Sequence, residues 1–453
     1  MGASKSKDSQ CQIKLPKFYR ARKDLDLTIC PARIDKVHVA GLSRTTEDYV
    51  QRVASRVFRA TNFQDVIVEC TEAWASLNEL GIYKDLRVQI DVSQGANASP
   101  NGYEVSFIGT ELPRVVGAVG TEVGQNEGSM TFDLTTPNVL GRGERATLHG
   151  SYSNSKRTDL TLRISKPYLH TVLGDYKPEV AVEVFRQAAM VPISAYKTEN
   201  FGMLAEFKML FPLNWRVSHS FQYEMSFREL YALGKQSPFF ISQNCGPRMA
   251  SLLRHIASID MRDNRIFPTR GAHMKCTTEY CGLGGNLSYL LGNLHAEVSF
   301  PLFAGLSAQF VGRAGVIRNI GKNQPEPPIS SLFTLGGPLT LRGFQFGGVG
   351  PHCDGYAMGM HSYWATAFHL WAPLPFYSYL GRFGDNFRSH LFYNFGNCDS
   401  FSVNNLRAAA GFGVAMRIGE RARIECNYCY PLNKEKNDRT QPGLQFGIGY
   451  EFI

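Results

Sequence analysis

The chain has 453 residues, of which 43% are hydrophobic, and its formal net charge is +9. This length allows a few ordinary domains or one large barrel. The apolar fraction excludes neither, because a membrane barrel dilutes each outward apolar residue with an inward polar one. The charges alternate along the sequence rather than cluster, so the composition gives no indication of nucleic-acid binding. No segment approaches the ~20 consecutive apolar residues of a membrane helix.

Residues 1–30 are predicted to form a disordered leader that lacks the charged-then-apolar pattern of a secretory signal. Within it, Gly2 and Ser6 fit the myristoylation pattern, and neighbouring lysines would supply a second, electrostatic membrane signal. The alternative is an unmodified polar leader. A barrel without a secretory signal is expected in an organelle outer membrane that is reached from the cytosol.

Residues 31–111 are predicted to form a small α+β domain with the order β-α-α-β-β. A short strand at 37–39 precedes two helices whose apolar residues recur at helical spacing, and two strands follow, near 86–92 and 103–107. The second helix is expected to end at Gly81. The edge of the sheet could pair with an extended peptide, or the domain could serve only as a spacer.

From residue 112 to residue 453, helical periodicity disappears and polar and apolar residues alternate, as in the segment 217–227. Several of these runs last for about ten residues, the length that a tilted strand needs to cross a bilayer. Strands of soluble sandwiches usually have only about five or six. We therefore expect an all-β transmembrane barrel of about 16 antiparallel strands. A soluble β-sandwich is the alternative.

The last predicted strand, 445–452, alternates polar residues or glycine with large apolar ones. The apolar positions are Phe446, Ile448, Tyr450 and Phe452. Because successive side chains of a strand point to opposite faces, we expect these four to lie together on the outer face. This pattern predicts a strand that continues through Phe452.

The sequence contains no phosphate-binding loop, zinc-protease helix or nucleophile elbow. The ten cysteines lack a regular disulfide spacing. Cys426 and Cys429 are three residues apart on a predicted strand, so they point to opposite faces and are poorly placed to share a metal. We therefore expect no enzymatic activity, no cofactor and no metal.

A glycine-rich loop of about forty residues, 319–360, interrupts the strand pattern and is far longer than an ordinary hairpin. Long loops of this kind in a barrel are often functional elements. If the loop folds inside the barrel, Arg342 needs an acceptor for its charge. The alternative is a disordered surface loop. Arg342 lies within the segment Leu341-Arg342-Gly343-Phe344 of this loop.

Three segments carry a resemblance to a known family. The segment 341–344 resembles the tip of the sixth loop in the BamA-like barrel-assembly superfamily. The segment 263–271 resembles the Asp-Asn…Pro-Thr-Arg-Gly hairpin of that family, and 138–144 resembles its early Asn-x-x-Gly-x-Gly-Glu turn. Residues 31–111 are similar to one polypeptide-transport-associated (POTRA) domain. A single such domain without a secretory signal narrows the resemblance to the mitochondrial branch, the central barrel subunits of the sorting and assembly machinery.

The resemblance implies a protein that receives β-barrel precursor proteins and inserts them into the mitochondrial outer membrane without nucleotide or metal. It also implies three kinds of partner: metaxin-like peripheral subunits, inner-membrane cristae-organising proteins and membrane lipid. The POTRA domain would lie in the intermembrane space. Two alternatives remain, a protein-translocating pore and a metabolite-conducting pore. The first usually has several POTRA domains, and the second has no front domain and no long inward loop.

The resemblance implies that Arg342 reaches an acidic group on the inner wall of the barrel. The family often places Asp in a Phe-x-Asp-x-Gly strand there, whereas this chain has Asn394 at the matching position. The expected contact is then at most a hydrogen bond between Arg342 and the amide of Asn394, in place of an ion pair. Glu425, inward on the penultimate predicted strand, is the alternative anchor.

The end of the chain resembles the polar-x-Gly-x-x-apolar-x-apolar sorting signal of mitochondrial barrels, through Gln441, Gly443, Phe446 and Ile448. The last strand would form one side of a lateral seam. The first strand, 115–121, would form the other side, and its glycines would make the closing ladder easy to open. The residues assigned to it are Gly117, Val119 and Gly120. Alternatively, these glycines only fit the curvature of the barrel.

Overall fold

The protein divides into two compact units, Met1–Leu112 and Pro113–Ile453, which are described separately below. Most of the predicted leader 1–30, with Gly2, lies outside the residues that the structure describes. None of the described helices is long and apolar enough to cross a membrane. The computed structural model describes residues 27, 30–95, 98–124, 127–167, 176–211, 217–234, 237–321, 326–374, 381–399, 406–419, 422–449 and 451–453.

The first unit contains a three-stranded sheet and two α-helices in the predicted order. Strand β3 is central, with β1 parallel on one side and β2 antiparallel on the other. A 3₁₀ turn at Ser55–Arg59 separates the helices. The elements are β1 (Arg33–Ala40), α1 (Glu47–Ala54), α2 (Phe63–Glu79), β2 (Tyr83–Val92) and β3 (Gly102–Glu111).

Local sequence explains both helices of this unit. Helix α1 buries Val50 and Val53 on one stripe, and α2 buries a matching stripe against the sheet. The Asn62 side chain caps α2 by accepting a hydrogen bond from the Asp65 amide at 2.8 Å. Gly81 follows the helix with a φ of +62°, a conformation that glycine adopts without steric cost. This architecture confirms the predicted small α+β domain.

The carboxylate of Glu111 holds the end of β3 to the segment that precedes α1. It accepts hydrogen bonds from the hydroxyls of Ser43 and Thr45 at 2.7 and 2.6 Å, and from the Arg44 guanidinium at 3.2 Å. Burial raises the pKa of Glu111, but these hydrogen bonds outweigh burial and hold the pKa below its usual range. The charged form of Glu111 therefore stabilises this domain.

We predict that Glu111→Gln destabilises the first unit by about 1–3 kcal/mol, because one carboxylate oxygen is replaced by an NH₂ group that faces donors. Hydrogen exchange of the β1 and β3 amides in the full-length protein would measure this loss. Since the pKa of Glu111 is depressed in the folded state, its contribution is present above the ordinary value of 4.5. That contribution is lost as the pH falls further, so the difference from wild type shrinks below pH 4.5.

Glu104→Gln on the same strand is the matched control. Glu104 makes its ion pairs with Lys36 and His38, whose side chains are both more than half exposed. Such surface pairs contribute roughly 0–1 kcal/mol. Equal losses for the two variants would contradict the role given to Glu111.

The second unit is a 16-stranded sheet in which every neighbouring pair of strands is antiparallel. The strands of this sheet before the long loop are β4 (Val116–Gly124), β5 (Glu127–Pro137), β6 (Arg145–Ser153), β7 (Thr158–Pro167), β8 (Glu179–Val191), β9 (Tyr196–Phe211), β10 (Val217–Ala232), β11 (Gly246–Asp260), β12 (Gly271–Gly285), β13 (Tyr289–Pro301) and β14 (Ser307–Asn319). The strands after it are β17 (Ser362–Pro373), β18 (Phe387–Cys398), β19 (Arg407–Ile418), β20 (Ala422–Asn433) and β21 (Gly443–Gly449). A separate two-stranded hairpin, β15 (His352–Cys353) and β16 (Tyr356–Ala357), lies between β14 and β17 in the chain. A short helix, α3 (Phe239–Asn244), lies between β10 and β11.

The two faces of this sheet differ as the alternation predicts. On β13, Leu294 and Phe300 are exposed on the outer face, whereas His295, Glu297 and Ser299 are buried on the inner face. An exposed apolar band outside polar, buried inner positions is the arrangement of a barrel that sits in lipid. The 16 antiparallel strands confirm the predicted fold class.

Strands β4 and β21 form the two edges of the sheet and approach each other to within 8 Å between Cα atoms. No ladder joins these two strands within the part of the chain that the structure describes. The edges therefore face each other across an unzipped seam. Strand β4 begins at Val116, close to the predicted start of the first strand.

The prediction that the last strand continues through Phe452 is wrong. Strand β21 ends at Gly449, and Phe452 and Ile453 lie buried in the interior instead of on the outer face. Tyr450 lies outside the described residues. The inward turn is favoured because the interior offers these residues specific partners, which the alternating pattern does not reveal.

Candidate functional site at the tip of loop six

The segment between β14 and β17 is called loop six, and its described residues are 320–321 and 326–361. The tip of the loop lies inside the barrel. Its tip residues Leu341, Arg342 and Phe344 are fully buried. Gly343 has a φ of +86°, and a Cβ added there would meet the Ala409 side chain at 2.7 Å. The tip therefore approaches the barrel wall closely at a position that only glycine fits.

Apolar packing holds the loop against one part of the wall. Leu335, Leu341 and Phe344 form a cluster with small residues of β17 and β19, including Ala365 and Ala409. These alanines leave space for the loop side chains, which pack against the wall in one buried cluster. The loop is thus part of the folded interior rather than a surface segment.

The guanidinium of Arg342 binds an acid on the inner wall. Its Nη2 donates to Oε2 of Glu425 at 2.7 Å, and both side chains are fully buried. Its Nη1 donates to the carbonyl oxygen of Ile453. The Phe392 ring lies 5.1 Å from the Arg342 Cζ atom, within cation–π range.

Asn394 also contacts Arg342, but at the backbone. Its amide Nδ2 donates to the Arg342 carbonyl oxygen at 3.2 Å, so it positions the peptide and not the guanidinium. Of the two anchors proposed from the sequence, the structure places Glu425 at the charge and Asn394 at the main chain. The hydrogen bond expected between the guanidinium of Arg342 and the amide oxygen of Asn394 does not form among these contacts.

A second arginine shares the same acid. The Nε atom of Arg423 lies 2.8 Å from Oε1 of Glu425, and its Nη1 donates to the Ile266 carbonyl oxygen at 3.0 Å. One carboxylate therefore bridges two buried guanidiniums, and Asn427 donates to it at 2.9 Å as well. A buried charge is tolerated only where such partners replace its hydration.

The connection into the last strand pairs with the loop-six tip. The Gln445 side chain accepts from the Gly343 amide at 3.0 Å and donates to the Phe344 carbonyl oxygen at 3.0 Å. The amide of Gln441 donates to the Gly343 carbonyl oxygen at 2.8 Å. Sequence reasoning missed Gln445 as a site residue. The alternating pattern could have identified it, because Gln445 is the polar, inward-facing neighbour of the outward-facing Phe446.

The other sorting-signal residues do not join this cluster. Phe446 points outward and is 60% exposed, and Ile448 shares its face of β21. Gly443 has a φ of +97°, and no described atom lies within 4 Å of the place that a Cβ would occupy there. This glycine therefore serves the backbone turn into the strand. The motif is thus divided between the loop contact and the outer face.

The seam residues on β4 are exposed, although each is paired with a residue of β5 on one side. Val119 is 80% exposed, and Gly117 and Gly120 are exposed as well. A Cβ would meet Leu134 at 3.4 Å from Gly117, which is ordinary contact, so close packing does not require that glycine. The structure does not bring these residues against loop six.

The other two motif segments shape turns of the barrel. Asp263 accepts from the Thr269 amide at 2.9 Å and organises the β11–β12 hairpin. This hairpin also contacts β17, where the Phe267 ring lies 5.8 Å from the Trp371 ring. In the early turn, Asn138 accepts from the Gly143 amide at 2.8 Å. In the described residues, no group of three or more His, Cys, Asp or Glu is arranged to hold a metal.

An inward loop with a buried tip arginine, and two facing edge strands that no described ladder joins, define an outer-membrane-type β-barrel with a lateral seam. A model of the Omp85 superfamily domain matches residues 138–452. The chain is 50% identical to the SAM50-like protein CG7639 of Drosophila melanogaster, over 94% of this chain and 96% of that protein. It is 36% identical to the human sorting and assembly machinery component 50 homolog, over 93% and 90%.

Among solved structures, BamA from Haemophilus ducreyi lacking POTRA domains 1–3 has the same fold, with a TM-score of 0.74 and 17% identity. The match covers 92% of this chain and 84% of that one. The chain therefore belongs to the Omp85 superfamily and, within it, to the family of sorting and assembly machinery component 50. This confirms the resemblance that the sequence motifs indicated.

We predict that Glu425→Gln destabilises the barrel by about 3–5 kcal/mol, because two buried guanidiniums lose their counter-charge. Asn394→Ala is the matched control, and it should cost only about 1 kcal/mol because it removes one neutral hydrogen bond. Urea unfolding of the purified barrel in detergent would compare them. Equal midpoints for the two variants would mean that the ion pair is not the main anchor of loop six.

Proposed function

We propose that this protein folds β-barrel precursor proteins and inserts them into the mitochondrial outer membrane through the seam between β4 and β21. The observation that carries this proposal is the pair of facing edge strands that no ladder joins in the described residues. Membership of the sorting and assembly machinery component 50 family supports the cargo and the membrane.

The chemistry of the seam is that of an exposed sheet edge. Unpaired N–H and C=O groups on an edge strand form hydrogen bonds with any extended segment that approaches. Lipid cannot satisfy those groups in the hydrocarbon region, so a precursor strand is their favourable partner. The protein thus supplies a template on which a precursor hairpin acquires its backbone hydrogen bonds before it meets lipid.

The two edges of the seam are held differently. Gln441 and Gln445 tie β21 and its approach to the loop-six tip. Strand β4 pairs with β5 on one side, and no described contact links it to loop six. We infer that β21 is the fixed edge and β4 the mobile one, which separates to admit the precursor.

The filled interior argues against a metabolite-conducting pore. Loop six packs against β17 and β19, and Arg423 on the wall bonds the β11–β12 hairpin through Ile266. These elements occupy the space that a diffusion channel would leave to water. A protein-translocating pore would have to displace the same buried ion pair.

We further propose that the insertion is not enzymatic and uses neither nucleotide nor metal. The first unit is proposed to lie in the intermembrane space, where its sheet edges, β1 and β2, would be available to extended precursor segments. Metaxin-like peripheral subunits and inner-membrane cristae-organising proteins are the proposed partners, on the strength of the family resemblance. Copurification of each from mitochondria that carry the tagged protein tests them separately.

Site-specific crosslinking tests the insertion route. Single cysteines at Val119, on β4, and Phe446, on β21, are placed in an otherwise Cys-free protein and exposed to a radiolabelled barrel precursor. We predict adducts from both positions, because both edges would pair with precursor strands, and their loss when the sorting signal of the precursor is scrambled.

Phe310→Cys provides the matched control for this experiment, since Phe310 is also exposed on the outer face but lies on β14, far along the sheet from both edges. It should give no adduct. In a protein with both substitutions, a bridge between positions 119 and 446 that forms equally with and without precursor, without adducts, would favour a permanently closed pore.

A further inference from the structure

The outer wall of the barrel carries two histidines on the part of the sheet that is remote from the seam. His255 on β11 pairs directly with Phe221 on β10, which is 47% exposed on the outer face. His219 lies two residues before Phe221 on the same strand and therefore shares its face. Because an ionisable side chain is costly on the lipid-facing side of a barrel, such a side chain marks a candidate functional site.

The two imidazoles bind each other. Nδ1 of His219 lies 3.1 Å from Nε2 of His255, and the two rings are nearly parallel, with their centroids 5.3 Å apart. The Phe221 ring is stacked on His255 at a centroid distance of 4.6 Å, and the Phe211 ring meets His219 edge-on at 5.1 Å. Aromatic side chains of the outer wall therefore hold the histidine pair in one geometry.

The pair offers one hydrogen-bond donor and one acceptor to a ligand. An imidazole that faces lipid is neutral because a charge there lacks hydration, and a neutral imidazole has one N–H and one bare nitrogen. Whichever ring donates in the shared hydrogen bond, Nε2 of His219 and Nδ1 of His255 are left as one donor and one acceptor. Neither nitrogen has a hydrogen-bond partner among the residues that the structure describes.

A mostly apolar groove of 530 Å³ begins beside His255 and extends across the outer wall between β8 and β13. Small and large side chains alternate along it, since Ala205 pairs with Tyr223 and Thr278 pairs with His255. The small residues leave a depression between the aromatic ones, which include Tyr280. This volume is within the range of sites that hold a small molecule, roughly 300–1,000 Å³.

The histidine pair and the groove have the polar-to-apolar order of a membrane amphiphile. His219 is the third residue of β10, close to one rim of the barrel, and the groove residues Phe221 and Tyr223 follow towards the middle of the strand. A lipid with its polar group at the rim and its apolar body towards the bilayer centre would place the polar group at the histidines.

The free donor and acceptor favour an uncharged alcohol. A hydroxyl group donates and accepts, so it satisfies both nitrogens, whereas an ester carbonyl satisfies only the donor. A phosphate requires cations, but Arg254, the one Lys or Arg among the described residues that line the groove, bonds Gln222 and Glu279 at 3.1 and 2.6 Å. A rigid apolar body also loses less conformational freedom on binding than a flexible acyl chain.

We propose that the outer wall between β8 and β13 is a sterol-binding site. The sterol hydroxyl bonds the His219–His255 pair, and the ring system fills the groove over Ala205 and Thr278. Several strands separate this site from either edge of the sheet, so sterol binding and precursor insertion use different parts of the barrel. The inference goes beyond the proposed function and does not depend on it.

Photolabelling of the full-length protein in phosphatidylcholine nanodiscs with a diazirine-bearing sterol tests the site. We expect the label on peptides of β10–β12, displaced by unlabelled sterol but not by its methyl ether, which can only accept a hydrogen bond. His255→Phe keeps the ring shape and removes both nitrogens. It should lower the labelling about tenfold, the factor expected for the loss of two hydrogen bonds.

Ala205→Phe fills the groove and should lower the labelling to a similar extent. Ala410→Phe is the matched control, since Ala410 lies on the outer face of β19 between the exposed Tyr393 and Tyr430. This control should be labelled like the wild type. Heat-modifiable electrophoretic mobility reports whether each variant retains its barrel.

A phosphatidylcholine with a diazirine in its acyl chain distinguishes the two lipid sources. If this probe labels the groove and unlabelled sterol does not displace it, acyl chains cover the groove and the proposal is overturned. Wild-type sterol labelling of a folded His255→Phe protein would also overturn it. If His255→Phe loses its barrel, the methyl ether decides, because equal displacement by sterol and ether would show that the hydroxyl is not recognised.

Discussion

The carboxylate of Glu425, shared by Arg342 and Arg423 in the interior of the barrel, is the contact on which the rest of the site depends. Three buried charges are unfavourable unless every one has partners. Here the partners come from loop six, from β20 and from Ile453, while Arg423 also bonds the β11–β12 hairpin. Elements far apart in the sequence must therefore be in place together.

This dependence gives the barrel one rigid side and one free side. Loop six, β20 and β21 form a unit joined by buried hydrogen bonds, such as those of Gln445 with the loop tip. The one ladder that β4 forms in the described residues is with β5. The weak glycine-containing edge of β4 lies opposite the rigid one. In the proposed mechanism this asymmetry lets the fixed strand set the register of the precursor while the other edge yields.

The sequence predicted the barrel because its alternating polar and apolar residues correspond to the inner and outer faces of each strand. The number of strands, the inward loop and the importance of Arg342 all followed from patterning or from the family resemblance. The position of Phe452 did not. The alternating pattern places Phe452 on the same outward face as Phe446 and Ile448. The pattern contains no information about the two interior guanidiniums that offer this ring a better site than lipid.

Long-range pairing limited the prediction of the site as well. Glu425 was one of two candidate anchors, and only the folded positions of β18 and β20 separate it from Asn394, which bonds the Arg342 main chain. The sequence did not indicate that Gly447 leaves space for Phe452 and Pro338. That close approach depends on contacts with other parts of the fold. Such contacts follow from the packing of the whole barrel.

The central claim is that the edge of β4 is unpaired until a precursor strand occupies it. Hydrogen–deuterium exchange of the β4 amides, in lipid nanodiscs with and without an arrested barrel precursor, measures this directly. Alternate amides of an antiparallel edge strand point away from its single partner. We predict that these amides exchange rapidly in the free protein and become protected when the precursor is bound. Slow exchange of the same amides in both states would contradict the account.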